Sequence, residues 1–333
     1  MVRRRILTAV VVVMVAVGSL VGLFPLGVAS AAQTASVGGN ALKISPVRED
    51  LTLDPGTTKT FDIFLTNLTS VPAALHGAIN DFTASTDESG HPNIILDENQ
   101  SAPSHSLKQF VDPVGNFTLA PGAQKDIKIT IRVPKGAAGG GYYGAVRFYP
   151  QQQGGDKQLN LAASVGSIVL LKVNGATVEK LNVASFDVRR GDNAAFFFTG
   201  NKGLTNVVRF QNLGNVQLEP FGKLQLKRFG KVVGEFEVNT LDPKGNVLPD
   251  SIRRFDTKLT NVSSFGKFTL EGNFGYGTTG QLVTAKATFY VLPVAYVVIA
   301  GIILLVLVVG IVVLPRMIRS YNRRVLRRAS RRR

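Results

Sequence analysis

The sequence predicts an all-β protein: two antiparallel sandwiches followed by one transmembrane helix at the C-terminal end. Three observations predict this. Apolar and polar side chains alternate with a period of two through most of 41–292, with no sustained 3.6-residue stripe. Gly, Pro and Asn separate these alternating runs at short intervals, as in sandwiches. Finally, 294–314 is a run of 21 uncharged residues, which as a helix rising 1.5 Å per residue covers the roughly 30 Å hydrocarbon layer.

From the N-terminus, Arg3, Arg4 and Arg5 precede an uncharged stretch, 6–26, and then Ala29-Ser30-Ala31. A charged start, an apolar run and an A-x-A site form a secretory signal peptide, 1–31, with cleavage expected after Ala31. The run is long for a signal core, so an uncleaved anchor is the other reading.

The strands follow. Ile127, Ile129, Ile131 and Val133 alternate with Asp126, Lys128, Thr130 and Arg132, so one face is core and the other wet. Phe61, Ile63 and Leu65 repeat the pattern, as do Leu224 with Leu226, Phe268 with Leu270, and 283–291. Asp54-Pro55-Gly56 and Ala120-Pro121-Gly122 each precede a strand and suit type II turns, whose second central residue needs positive φ. Phe229-Gly230-Lys231 reads as a hairpin. Asn67 and Asn212 each close a strand in matching contexts, where Asn suits left-handed or Asx-turn geometry.

The expected domains are 41–175 and 176–292, the second membrane-proximal; the link around 178–188 lacks Pro/Gly/Ser character, so docking is expected. Within the first, 86–116 is the least regular segment and reads either as an interaction loop or as a mobile insertion. Its Asp87-Glu88-Ser89-Gly90 reads as a solvated turn, with a weak Ca²⁺ site as the alternative. In Gly139-Gly140-Gly141-Tyr142-Tyr143-Gly144 the glycines permit close approach of a ligand or another backbone. Adjacent tyrosines point to opposite faces, so one ring is expected in the core; the other, exposed, makes Tyr142 and Tyr143 the candidate ligand contacts.

The formal charge of +16 sits at the ends. Residues 316–333 hold nine arginines and no acidic group, and setting aside these and the three leading arginines leaves 26 basic against 22 acidic residues. A nucleic-acid partner is therefore not expected. Pro315 followed by Arg316 and Arg319 marks the exit from the membrane, and the basic tail 315–333 is placed in the cytoplasm by the positive-inside rule, with 32–293 outside. The tail also suits anionic lipid headgroups.

The sequence has no cysteine, which excludes thiolate chemistry, and its three histidines, His76, His91 and His105, form no metal or hydrolase motif. His76 is expected on the solvent face of a strand. No catalytic residue, cofactor or metal site is expected, and the protein is read as a non-enzyme.

The order Asp54-Pro55-Gly56, the strand 61–67, Ser106-Leu107-Lys108-Gln109-Phe110, Leu119-Ala120-Pro121-Gly122 and 133–148 resembles the first extracellular domain of the WxL-interacting surface proteins of Gram-positive bacteria. That resemblance implies immunoglobulin-like sandwiches, peptidoglycan binding by the first domain and a membrane-proximal second domain. The second half is similar to that family in layout only. The first domain is also similar, more distantly, to the N-terminal sandwich of pilus chaperones. The resulting expectation is a single-pass plasma-membrane protein whose first domain binds cell-wall polymer or an envelope or surface protein by its loops and edges, with the second as a spacer. The alternative is a membrane-tethered assembly factor or chaperone that offers a sheet edge to exported proteins.

Overall fold

The computed structural model describes residues 41–151 and 164–330, with side chains to 319. The expected signal segment 1–31 lies outside the described residues.

Two immunoglobulin-like sandwiches are present. In the first, β1 (Leu42–Ser45), β3 (Thr58–Asn67) and β7 (Gln124–Arg132) form one sheet in the order β1-β3-β7. Facing it are β2 (Arg48–Leu53), β9 (Val165–Val173), β8 (Gly140–Pro150), β4 (Ala73–Ala84) and β5 (Pro92–Ile94), with β6 (Gly115–Leu119) on the far end of the edge of β4 that carries β5. The alternation read in the sequence is the inward face: Ile63, Leu65, Ile129 and Ile131 meet Leu75, Val146, Phe148 and Leu171 in one buried cluster. Each such side chain contributes on the order of 1.5–3 kcal/mol by leaving water.

The second sandwich packs β11 (Asn193–Ala194), β10 (Leu181–Arg190), β13 (Leu204–Asn212) and β16 (Ile252–Lys258) against a five-stranded sheet. That sheet runs β12 (Phe197–Phe198), β18 (Gln281–Val291), β17 (Gly266–Tyr276), β14 (Phe221–Arg228), β15 (Lys231–Val238). Its core is aromatic: Phe210 meets Phe274 edge-on at 4.9 Å, and Phe268 stacks on Phe289 at 5.3 Å.

Pairing is antiparallel except at two edges, where β2 lies parallel to β9 and β12 parallel to β18. The expected turns form where read, with Gly56 at φ 84°, Gly122 at φ 65°, and both Phe229 and Gly230 at positive φ in the β14–β15 hairpin. The segment 86–116 is not a single loop: it holds β5, a 3-10 turn (Lys108–Phe110) and the start of β6.

Asn67 and Asn212 do the same job in the two sandwiches, by the Asx route. Each is fully buried, and each side-chain oxygen accepts the N–H two residues on, Thr69 and Gly214. The Asn212 amide also donates to the carbonyls of Val216 (2.7 Å) and Val247 (2.9 Å). Asn212→Ala leaves these groups buried without partners, so we expect a loss of about 2–4 kcal/mol of unfolding free energy, measurable by denaturant titration.

Helix α1 (Val294–Ser330) follows β18 after two residues. Its stretch Val294–Arg319 is long and apolar enough to cross a membrane. The helix does not end at the expected membrane exit but continues through Pro315 to Ser330. Proline removes one backbone bond, whereas the Arg, Leu and Met residues beyond it are good helix formers.

Candidate functional site

Strand β8 carries the candidate tyrosines, and the structure gives both rings internal partners. Tyr143 is 2% exposed. It lies on the outer face of the β4–β8–β9 sheet with Phe82 and Leu170, and its hydroxyl donates to Gln217 of the second sandwich at 3.0 Å. Tyr142 points to the opposite face, edge-on to Phe110 at 4.7 Å, and its hydroxyl donates to the Ala138 carbonyl at 2.9 Å. Tyr143 is thus the buried ring of the pair and Tyr142 the half-exposed one; the second sandwich covers the Tyr143 face of β8, a long-range event that local spacing does not encode.

The glycines ahead of the tyrosines are explained by the same joint. A Cβ on Gly139 would lie 2.6 Å from the Ala176 nitrogen, so only glycine lets the linker backbone pass. Gly141 N–H donates to the Asn215 carbonyl at 2.7 Å, and the Asn215 amide donates to the carbonyls of Gly139 (3.1 Å) and Ala176 (3.0 Å). Asn215 Oδ1 accepts Val178 N–H at 2.7 Å.

Ion pairs extend the joint. Glu88 takes the Arg209 guanidinium in two bonds, one of them 2.6 Å, and its backbone carbonyl accepts Arg254 N–H at 2.9 Å. The Arg209 bonds hold the Glu88 carboxyl below the usual carboxylate range. Arg48 pairs with Glu219 at 3.2 Å, and Lys172 with Glu179 at 2.9 Å. The 87–90 turn thus has two halves. Asp87 is bonded to Ser85 and Ser89, which hold it at about 2, while Glu88 is an inter-sandwich clamp rather than a solvated side chain. Among the described residues no group of three or more metal-ligating side chains occurs.

A second cluster was not legible in the sequence. On the outer face of β4, His76 pairs across strands with Asn116 of β6 and Tyr149 of β8. His76 Nδ1 meets Asn116 Oδ1, and Nε2 lies 3.1 Å from Glu98, which also accepts the Tyr149 hydroxyl. The Lys108 ammonium donates to the Glu98 backbone carbonyl, and Arg147 lies over the Tyr149 ring at 5.5 Å. His76 thus lies on the outer face of its strand, and it is held there by bonds that the sequence did not indicate.

The Asn116 bond, aided by Glu98, raises His76 above 6.5, and the Tyr149 and His76 bonds lower Glu98 below 4.5. The His76 contribution is complete below pH 6.5 and fades as pH rises through its folded value; the Glu98 contribution is present above pH 4.5 and fades as pH falls through its own. Protection factors of the amides in 96–108, with exchange rates divided by the intrinsic rate at each pH, should be largest between these limits and smaller at higher pH. His76→Gln should flatten the alkaline side, and an unchanged profile in that variant would refute the assignment.

The second sandwich has an open side. β10 and β18 are neighbouring edges of its two sheets, and β12 covers β18 only at Tyr290 and Val291. Tyr290 and Leu292 donate their N–H groups to Phe196 and Phe198. With period two and the unbroken β17–β18 register, the N–H groups of Leu282, Thr284, Lys286 and Thr288 point to the same side. They have no partner among the described residues. Beside Lys286 and Thr288 lies a groove of about 720 Å³ whose lining includes Phe186, Val188, Ala195, Ala287 and Phe289. The edge bears one lysine, Lys286, which is held at 3.1 Å by Glu271 of its own sheet. β7, an edge of the first sandwich, is likewise capped at one end, by Val111 and Asp112.

Fold and joint together define a protein of two docked immunoglobulin-like sandwiches with an apolar helix directly after the second. No family profile and no curated protein sequence matches the chain. Among solved structures it is similar to the class 5 fimbriae chaperone CfaA, at 14% identity over 76% of this chain and 99% of that one, with a TM-score of 0.36. It is also similar to the Pseudomonas aeruginosa CupB2 chaperone (12% identity, 73% of this chain and 98% of that one, TM-score 0.31). For the E. coli chaperone DraB the values are 14%, 75%, 96% and 0.32. At these scores the likenesses decide nothing about partners, and the fold stands on the strand pairings above.

Proposed function

We propose that this is a single-pass, non-enzymatic plasma-membrane protein whose two sandwiches stand outside the cell and hold an extended segment of another exported or surface protein. The helix Val294–Arg319 anchors it, and the arginine-rich end keeps the tail in the cytoplasm, near anionic lipid. The observation that carries the binding claim is the open edge of β18 beside its apolar groove. An unpaired row of N–H and C=O groups is satisfied by a strand in register, while alternate side chains of that strand enter the groove. This is the assembly-factor form of the reading, with the second sandwich as the binding element rather than a spacer. The wall-polymer form rests on the resemblance of the first domain, and the rings it would use, Tyr142 and Tyr143, are engaged internally.

A photoreactive residue in place of Ala195, in the full chain in intact cells, tests this. The proposal expects adducts with exported polypeptides that vanish when Thr288 is replaced by proline. Adducts that persist in that variant, or that dissolve only under wall-degrading enzymes, would refute it.

A further inference from the structure

We infer that the base of the second sandwich is itself a membrane-contacting surface, seated in the headgroup layer of the bilayer that its own helix crosses. This rests on the membrane reading of α1. β18 ends at Val291 and α1 begins at Val294. The two intervening residues span at most about 7 Å, so the sandwich has no stalk.

What this end presents is unusual for a surface facing water. Phe229 is 77% exposed and Phe197 68%, with Phe265, Tyr290 and Tyr296 also open. The rings are tied to the helix entry: Phe197 stacks on Tyr290 at 5.0 Å, and Phe265 meets Tyr296, in the first turn of α1, at 5.8 Å. Phe197, Phe229 and Phe265 come from β12, the β14–β15 hairpin and the loop before β17, which the fold gathers around Tyr290 of β18 and Tyr296 of α1. Aromatic rings of this kind prefer the membrane–water interface.

Charge agrees. The loops at this end, 190–203, 228–231 and 258–267, hold Arg190, Lys202, Arg228, Lys231, Lys258 and Lys267 against the single acid Asp192. Such a surplus suits phosphate headgroups. Arg228 shows the arrangement in one side chain, donating to the Phe265 carbonyl at 2.8 Å with its guanidinium 5.3 Å from the Phe229 ring. The consequence is a sandwich that leans on the bilayer through a collar of rings, which fixes the height of the β18 groove above the membrane.

The chain has no tryptophan, so a single introduced one reports its own surroundings. The full chain is reconstituted in phosphatidylcholine–phosphatidylglycerol vesicles whose acyl chains carry bromine near the headgroup. Phe229→Trp and Phe197→Trp are expected to emit at shorter wavelength and to be quenched several-fold more than Leu241→Trp, which lies in an exposed loop at the opposite end of the sandwich. Val297→Trp, inside the helix, is the reference for insertion. If Val297→Trp is quenched while both collar reporters behave like Leu241→Trp, the collar stands off the bilayer and the inference fails with the anchor intact. If Val297→Trp is not quenched either, the membrane reading itself has failed and the inference with it.

Discussion

Gly139→Ala is expected to unseat the second sandwich from the first. The new methyl would stand 2.6 Å from the Ala176 nitrogen and 2.8 Å from the Gly175 carbonyl carbon, both backbone atoms that no rotamer change can move aside. The linker must shift, and with it go the Asn215 bonds to Gly139, Ala176 and Val178. Overpacking of this sort costs about 1–3 kcal/mol, and the cost falls on the joint rather than on either core. Thermal unfolding should change from one transition to two, and protease should cut within 174–180 much faster. Gly136→Ala is the control, since a Cβ there meets nothing within 4 Å. Equal behaviour of the two variants would show that the joint does not depend on close backbone approach.

Thr288→Pro should abolish binding of an extended partner while leaving the second sandwich folded. The Thr288 N–H points away from β17, so its loss breaks no bond of the existing ladder, and proline is tolerated in an edge strand under that condition. An added strand would lose that donor and meet the ring instead. One lost hydrogen bond of about 1.4 kcal/mol corresponds to a tenfold drop in affinity, and the steric block adds to it. A variant that binds normally would remove β18 from the account. One with an altered far-ultraviolet circular dichroism spectrum would show instead that the edge is already used within the fold.

These two sites differ in how far the sequence discloses them. The strands 61–65, 127–133 and 268–270 were legible because one face of each is core, and a half-buried strand writes that fact at every second residue. The turn glycines at 56 and 122 were legible because the φ they need is a local property. The glycines at 139–141 suggested a close approach, but which backbone approached was set by the docking of residues more than thirty positions away. For the same reason the partner of Tyr143 and the pairing of Glu88 were not legible: each depends on a second sandwich whose position no local pattern records. The His76–Glu98 cluster combines three strands and a loop and leaves no motif. The parallel additions β2 and β12 are too short and too irregular in burial to announce their partners.

The central claim is that the free edge of β18 accepts a strand. Hydrogen exchange on the full chain in lipid nanodiscs, with and without an excess of a nine-residue peptide of alternating valine and threonine, tests it most directly. The account predicts that the amides of Leu282, Thr284, Lys286 and Thr288 slow markedly on adding the peptide, while the intervening amides, already bonded to β17, change little. Protection that appears instead along β7 or β15, or at none of the four outward amides, would contradict it.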